Sequence, residues 1–166
     1  PLEEGTANRD GITVITPEPR LNETFRGGAL GHSLRGMVVM DLSAIERISS
    51  YGVREWMEMN SAIVERGDVA RVYLARCSEA VVTQLAMIRG FAGPARVVSF
   101  QVPFLCRSCG HDFPHVLDSE RDAAQILRGR ITDVPCPRCG GASQFDDHVN
   151  YFAGIMTNAT TASFGT

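Results

Sequence analysis

Four of the five cysteines fall into two pairs with the same spacing, Cys106-Arg-Ser-Cys109-Gly110 and Cys136-Pro-Arg-Cys139-Gly140-Gly141. Two intervening residues let both thiolates of a pair turn inward on one tight loop. The glycine after the second cysteine permits the left-handed backbone such a knuckle needs. Together the knuckles offer four sulfurs, the donor set of a tetrahedral Zn²⁺ site with Zn–S distances of about 2.3 Å. The expectation is one structural Zn²⁺ per chain, held by Cys106, Cys109, Cys136 and Cys139. An iron-bound, rubredoxin-like site and a redox dithiol are the other chemistries open to these residues. A catalytic metal is disfavoured, because four thiolates leave no position for water and no general base is placed nearby by sequence. His111 and His115 would be ligands only by displacing a cysteine, and read as surface residues or as outer neighbours of the site. Cys77 reads as a buried, inert thiol.

A second group of residues with chemical potential lies at Asp41–Trp56, DLSAIERISSYGVREW. Ser49 and Ser50 sit where a helix begins, so either can cap its first turn. Elsewhere no Ser/His/Asp or Cys/His order stands out, no glycine-rich phosphate loop follows a strand, and His32, His111, His115 and His148 do not cluster. An enzyme is therefore not expected.

The elements that must position these groups read as an α/β pattern. Ile12–Ile15 alternates with threonine and closes at Pro17 as a first strand. Phe25–Leu34 has helical spacing, yet Gly27, Gly28 and Gly31 make it a poor autonomous helix. Met37–Leu42 is a continuous apolar run, the mark of a central strand covered on both faces. Val53, Trp56, Met57, Asn60, Ile63 and Val64 recur at helical spacing, with Arg54 and Glu58 paired on the other face, and Gly67 ends the run. Val69–Ala75 follows as a strand with Val72 and Leu74 on one face. A helix capped by Ser78 carries Val81, Val82, Leu85 and Ile88, and a last strand spans Arg96–Val102. Such alternation predicts a mixed sheet with helices packed against it. Beyond Pro103 lie the two knuckles and a polar insert from Asp118 to Asp133. The insert contains a short helix introduced by Ser119-x-x-Asp122. An aromatic segment follows at Asn150–Met156.

The bulk composition limits the partners. With 44% hydrophobic and 21% charged residues, 166 residues suffice for one ordinary domain and a small module. The formal charge is −3 and no arginine block is long enough for a nucleic-acid or membrane surface. An odd cysteine number in this pattern points to a reducing compartment, no apolar run is long enough to span a bilayer, and no charged-then-apolar leader opens the chain. A cytoplasmic, bacterial-type protein is the expectation, and a homo-oligomer is compatible with it. Nucleic-acid regulation through the cysteine module is the alternative function. The flanking Asp112, Asp118, Glu120, Asp133, Asp146 and Asp147 argue against it.

RLNET at Arg20–Thr24 followed by VVMDLSAIERISSYGVREW resembles the STAS domain of anti-sigma-factor antagonists and related bacterial regulators, over roughly residues 11–102. The resemblance rests on Asp41-Leu42-Ser43, Ile45, the serine pair and Gly52-Val53. It implies a small α/β domain that docks on a kinase-like partner or signalling complex and is released when a loop Ser or Thr is phosphorylated. The family's common motif is Asp-Ser-Ser-Gly, with the modified serine just before the glycine. Aligned on Gly52, this chain has Tyr51 at that position, Ser50 before it and Ser49 in place of the aspartate. The loop, Ser49, Ser50, Tyr51, Gly52, Arg54 and Glu55, is therefore expected to serve first as a docking surface. Phosphorylation at Ser50 is the secondary expectation. The anticipated organisation is a flexible tail at 1–10, a STAS-like domain at 11–102, a zinc-ribbon module at 103–157 and a second tail at 158–166.

Overall fold

The computed structural model describes residues 6–67 and 70–146. In chain order the elements are β1 (Thr6–Arg9), β2 (Ile12–Ile15), β3 (Arg20–Leu21), α1 (Gly27–Ser33), β4 (Gly36–Asp41), β5 (Arg47–Ile48), α2 (Ser50–Glu65) and β6 (Ala70–Ala75). They continue with α3 (Glu79–Met87), β7 (Arg96–Val97), β8 (Ser99–Cys106), β9 (Asp112–Asp118), α4 (Ala123–Leu127), β10 (Val134–Pro135) and β11 (Ala142–Phe145). The expected segment Asn150–Met156, the tail at 158–166, His148 and the strand start at Val69 lie outside the described residues.

The first sheet has the order β1-β2-β4-β6-β7, parallel except for β1, which pairs antiparallel with β2. The mixed α/β reading is met. For residues 6–10 the tail reading is not, because Thr6–Arg9 forms the sheet's edge, while residues 1–5 lie outside the described residues. Asp10 and Gly11 both take positive φ, 51° and 80°, and turn the chain so that Arg9 faces Ile12. An Asp-Gly pair is a strong two-residue hairpin signal. On β4, Val38 and Met40 are fully buried, whereas Met37 is 39% exposed. The strand is central as expected, but covered completely on one face only.

Helices α1 and α2 pack backbone to backbone. A Cβ at Gly27 would lie 1.9 Å from the Glu55 carbonyl oxygen, and one at Gly31 would lie 2.6 Å from that of Met59. The glycines that weaken α1 as an isolated helix are thus what let it approach α2. Arg66, just past α2, donates to the carbonyls of His32 and Leu34 at 2.6 and 3.0 Å and so satisfies the open end of α1. Val64, expected to face inward, is exposed.

The expected strand Arg96–Val102 is divided between two sheets, a correction to the boundary at Pro103. Arg96–Val97 closes the first sheet, whereas β8 belongs to a second, antiparallel sheet of order β10-β11-β8-β9. The cause is one unbroken alternation, with Phe100, Val102, Phe104 and Cys106 all buried. Pro103 does not interrupt it. Its carbonyl accepts from Asp146 N at 3.0 Å, so its backbone faces β11 rather than β9. Pro114 stands opposite on the free edge strand, where a missing donor costs no ladder bond.

The two sheets share one core, since Phe100, Val102, Phe104 and Leu117 join the same buried cluster as Val72, Leu74 and Val81. Cys77 is the seam. It bridges Phe100 in parallel, donating to Ser99 O at 3.1 Å and accepting from Gln101 N at 2.8 Å. Its thiol is fully buried, and burial pushes its pKa up to about 12, so it is inert as expected. The insert helix forms as α4, but Ser119 does not cap it. Asp118 Oδ1 accepts instead from the N–H groups of Glu120 and Arg121, at 2.9 and 2.8 Å. Among the described residues no helix is long and apolar enough to cross a membrane.

Candidate functional site

The turn after β8 carries Cys106 and Cys109, and the turn between β10 and β11 carries Cys136 and Cys139. Each turn closes with the same bond, Gly110 N to Cys106 O at 3.0 Å and Gly140 N to Cys136 O at 2.9 Å. Each glycine is left-handed, with φ of 67° and 74°. The pairing of β11 with β8 then brings the two knuckles face to face. All four sulfurs lie within 4.8 Å of one another, with Cys106–Cys139 at 3.5 Å and Cys109–Cys136 at 3.8 Å.

Those separations discriminate between chemistries. A disulfide needs about 2.05 Å, whereas a tetrahedron with metal–sulfur bonds of about 2.3 Å has edges of about 3.8 Å. The four cysteines fit a metal ion. Backbone donors also point at sulfur, from Arg138 N to Cys136 and from Gly141 N to Cys139, both at 3.4 Å. Hydrogen bonds from the Cys109 and Ser108 backbone lower the Cys106 thiol to about 6. The Gly141 N–H likewise favours the Cys139 thiolate, but the crowding sulfurs of Cys109, Cys106 and Cys136 outweigh it and push that thiol up to about 12. Four thiolates this close cannot all stay ionised without a cation between them.

Among the described residues no histidine joins this cluster. His111 stacks on Phe113 with ring centroids 5.6 Å apart, and His115 meets the edge of Phe104 at 5.2 Å. Burial lowers the His115 pKa, so its ring is held neutral as packing material. No family model, curated protein or solved structure matches this chain.

The residues of the second candidate group do gather at one place, the first turn of α2. Ser49 is the N-cap, its Oγ accepting from Gly52 N at 3.1 Å. Gly52 is buried, and a Cβ there would sit 2.1 Å from the Leu21 carbonyl oxygen, which clamps the turn onto β3. Around this fixed point Ser50, Tyr51 and Arg54 are exposed, while Glu55 is half-buried beneath α1. Ser49→Ala is expected to cost about 1 kcal/mol, the usual loss for an N-cap hydroxyl. Urea unfolding reads this directly, and an unchanged midpoint would remove the capping role.

A third constellation was not legible in the sequence. Asp41, at the C-terminal end of β4, takes two hydrogen bonds from the Arg76 guanidinium and one from Ser43 Oγ at 2.8 Å. Burial raises the Asp41 carboxyl, yet the bonds from Arg76 and Ser43 prevail and hold it below its ordinary value. Arg76 takes a left-handed backbone, φ 50°, which is uncommon for a non-glycine residue. The partners stand 35 residues apart, so no local spacing announces them.

Proposed function

We propose that the chain is a non-catalytic, STAS-like protein-interaction module fused to a zinc ribbon, acting in the bacterial cytoplasm as an adaptor in signalling or partner switching. The observation that carries this reading is the first turn of α2. Three exposed side chains of different chemistry, Ser50, Tyr51 and Arg54, surround a glycine locked against β3. A rigid platform with an aromatic and an arginine at its centre suits docking, since such residues dominate binding hot spots. A phosphate on Ser50 would place about −1.5 to −2 charges on that platform and reshape any complex made there. Zinc is the proposed occupant of the four-thiolate site. It prefers four-coordinate sulfur and carries no redox chemistry, which suits a structural role.

The test is affinity capture from native lysate with the wild-type chain, Tyr51→Ala, Arg54→Glu and Ser50→Ala. Loss of about tenfold or more in retained partner is expected for Tyr51→Ala and Arg54→Glu, matching hot-spot truncations above 1 kcal/mol. Equal capture by both variants would sink the docking reading. Phosphate at Ser50 that releases the partner supports switching. An unmodified loop, with Ser50→Ala binding normally, leaves docking alone.

A further inference from the structure

A groove of about 570 Å³ lies between the loop after β4 and the start of α3 on one side and the β8–β9 hairpin of the second sheet on the other. One wall is the loop after β4, with Ser43, Ile45 and Glu46. The floor is the start of α3, with Ser78, Glu79, Ala80 and Thr83. The other wall is the β8–β9 hairpin, with Gln101, Pro103, Asp112 and Pro114. Neither sheet alone would form it.

Its charge is of one sign. Glu46, Glu79 and Asp112 line the groove, all three exposed, and no arginine does. Among the described residues none of the three makes an ion pair, because the four ion pairs involve Asp41, Glu120, Asp133 and Asp122. The start of α3 brings roughly half a positive charge, which Glu79 in its first turn offsets, leaving the groove acidic. Ser78 adds an independent sign of an unfinished site. It is the N-cap of α3 and only 6% exposed, yet its hydroxyl neither caps the helix nor finds any partner. Ser49, in the same position on α2, does cap. A buried polar group left unpaired costs about 1–3 kcal/mol.

We propose that this groove binds an extended, arginine- or lysine-bearing segment of a protein partner. The cations would face Glu46, Glu79 and Asp112, and the segment's apolar surface would lie along the facing prolines Pro103 and Pro114. The proposal rests on the interaction-module reading and deepens it. The cysteine sheet becomes one half of a binding surface, in addition to being a metal-held appendage.

The probe is a set of fluorescein-labelled decapeptides with three arginines spaced among alanine and proline, and a matched set with three glutamates. Each is titrated into the full chain and followed by fluorescence polarisation and amide chemical shifts. Arginine peptides are expected to bind, with shifts at Ser43, Thr83 and Gln101. Affinity should fall at least tenfold in the double variant Glu46→Arg/Glu79→Arg, whose amide dispersion reports that it remains folded. Silent amides at those positions, undiminished affinity of the double variant, or shifts scattered over the whole acidic surface would each overturn the proposal. A double variant that still captures the wild-type's partner would overturn the groove and leave the module reading intact. Arginine peptides seated in the groove of a chain that captures no partner would do the reverse.

Discussion

Stripping the metal from Cys106, Cys109, Cys136 and Cys139 is expected to release the second sheet while the parallel sheet stays protected. Apolar residues are sparse around the knuckles. β10 has two residues and β11 four, and neither contributes a fully buried hydrophobic side chain. Such short strands cannot hold register on their own. Structural zinc in small metal-held units contributes about 10–16 kcal/mol at neutral pH, comparable with the whole stability of an ordinary domain. Phe100, Val102 and Phe104 belong instead to the shared core, where Val72, Leu74 and Val81 retain them without a metal. Hydrogen exchange should therefore show a boundary within β8. Amides of residues 134–145 and of the Cys106–Cys109 knuckle would lose protection on chelation under reducing conditions, and those of β4 and β6 would keep it. Cys136→Ser should reproduce the pattern. Metal analysis should return about one zinc per chain. A chelated protein with β10 and β11 still protected would show that these strands are held by packing and that the metal is incidental.

The contrast between the two ends of the molecule shows what could be read without coordinates. The knuckles are local. Two-residue spacing and a following glycine set their geometry, so all four sulfurs were identifiable, and strand pairing had only to bring the halves together. Helix α2 is equally legible, because Trp56, Asn60 and Ile63 on its buried face follow from periodicity within one segment, although Met59 is buried where the periodicity pointed to Met57. What failed was the assignment of strands to sheets. Arg96–Val102 and the residues beyond Pro103 carry one alternating pattern, and beyond the break after Val97 the first contact of β8 is with Cys77, far back in sequence, which bridges Phe100. Gly27 and Gly31 counted against α1 by propensity, although close approach to α2 is what requires them. Asp41 and Arg76, and the groove behind Ser78, exist only after the parallel strands have aligned. Asp10-Gly11 is different. It is a local hairpin signal that lies inside a polar, tail-like segment.

Trp56→Ala is expected to be among the most damaging single substitutions outside the metal site. The indole is 1% exposed and lies nearly parallel to Phe91, with ring centroids 5.2 Å apart and planes 9° apart; Phe25 stacks at 6.4 Å. Its Nε1 donates to Phe91 O at 2.7 Å, and Asn60 Nδ2 donates to the same oxygen at 2.9 Å. One carbonyl thus pins the turn after α3 to the middle of α2. Gly93 presses there so closely that a Cβ would lie 2.3 Å from the Asn60 amide carbon. Truncating a buried Trp costs about 3–5 kcal/mol, a Tm drop of roughly 6–20 °C for a chain of this size. Trp56→Phe separates the two contributions. It keeps an aromatic ring against Phe91 but removes the N–H together with the indole's second ring, leaving Phe91 O its bond from Asn60, so its cost should exceed the about 1 kcal/mol of one hydrogen bond yet stay below that of Trp56→Ala. Adding Asn60→Leu to Trp56→Phe strips that carbonyl of both donors, and the combined cost should exceed the sum of the single costs. Thermal and urea unfolding of the wild type and the four variants measure this. A Trp56→Phe variant as unstable as Trp56→Ala would show that a phenyl ring against Phe91 recovers nothing, and additive costs for Phe and Leu would show that the two donors act independently. Because the start of α2 also presents Ser50, Tyr51 and Arg54, loss of this anchor should loosen that turn before the parallel sheet opens. The Gly52 amide is therefore expected to gain exchange rate ahead of those of β4 and β6.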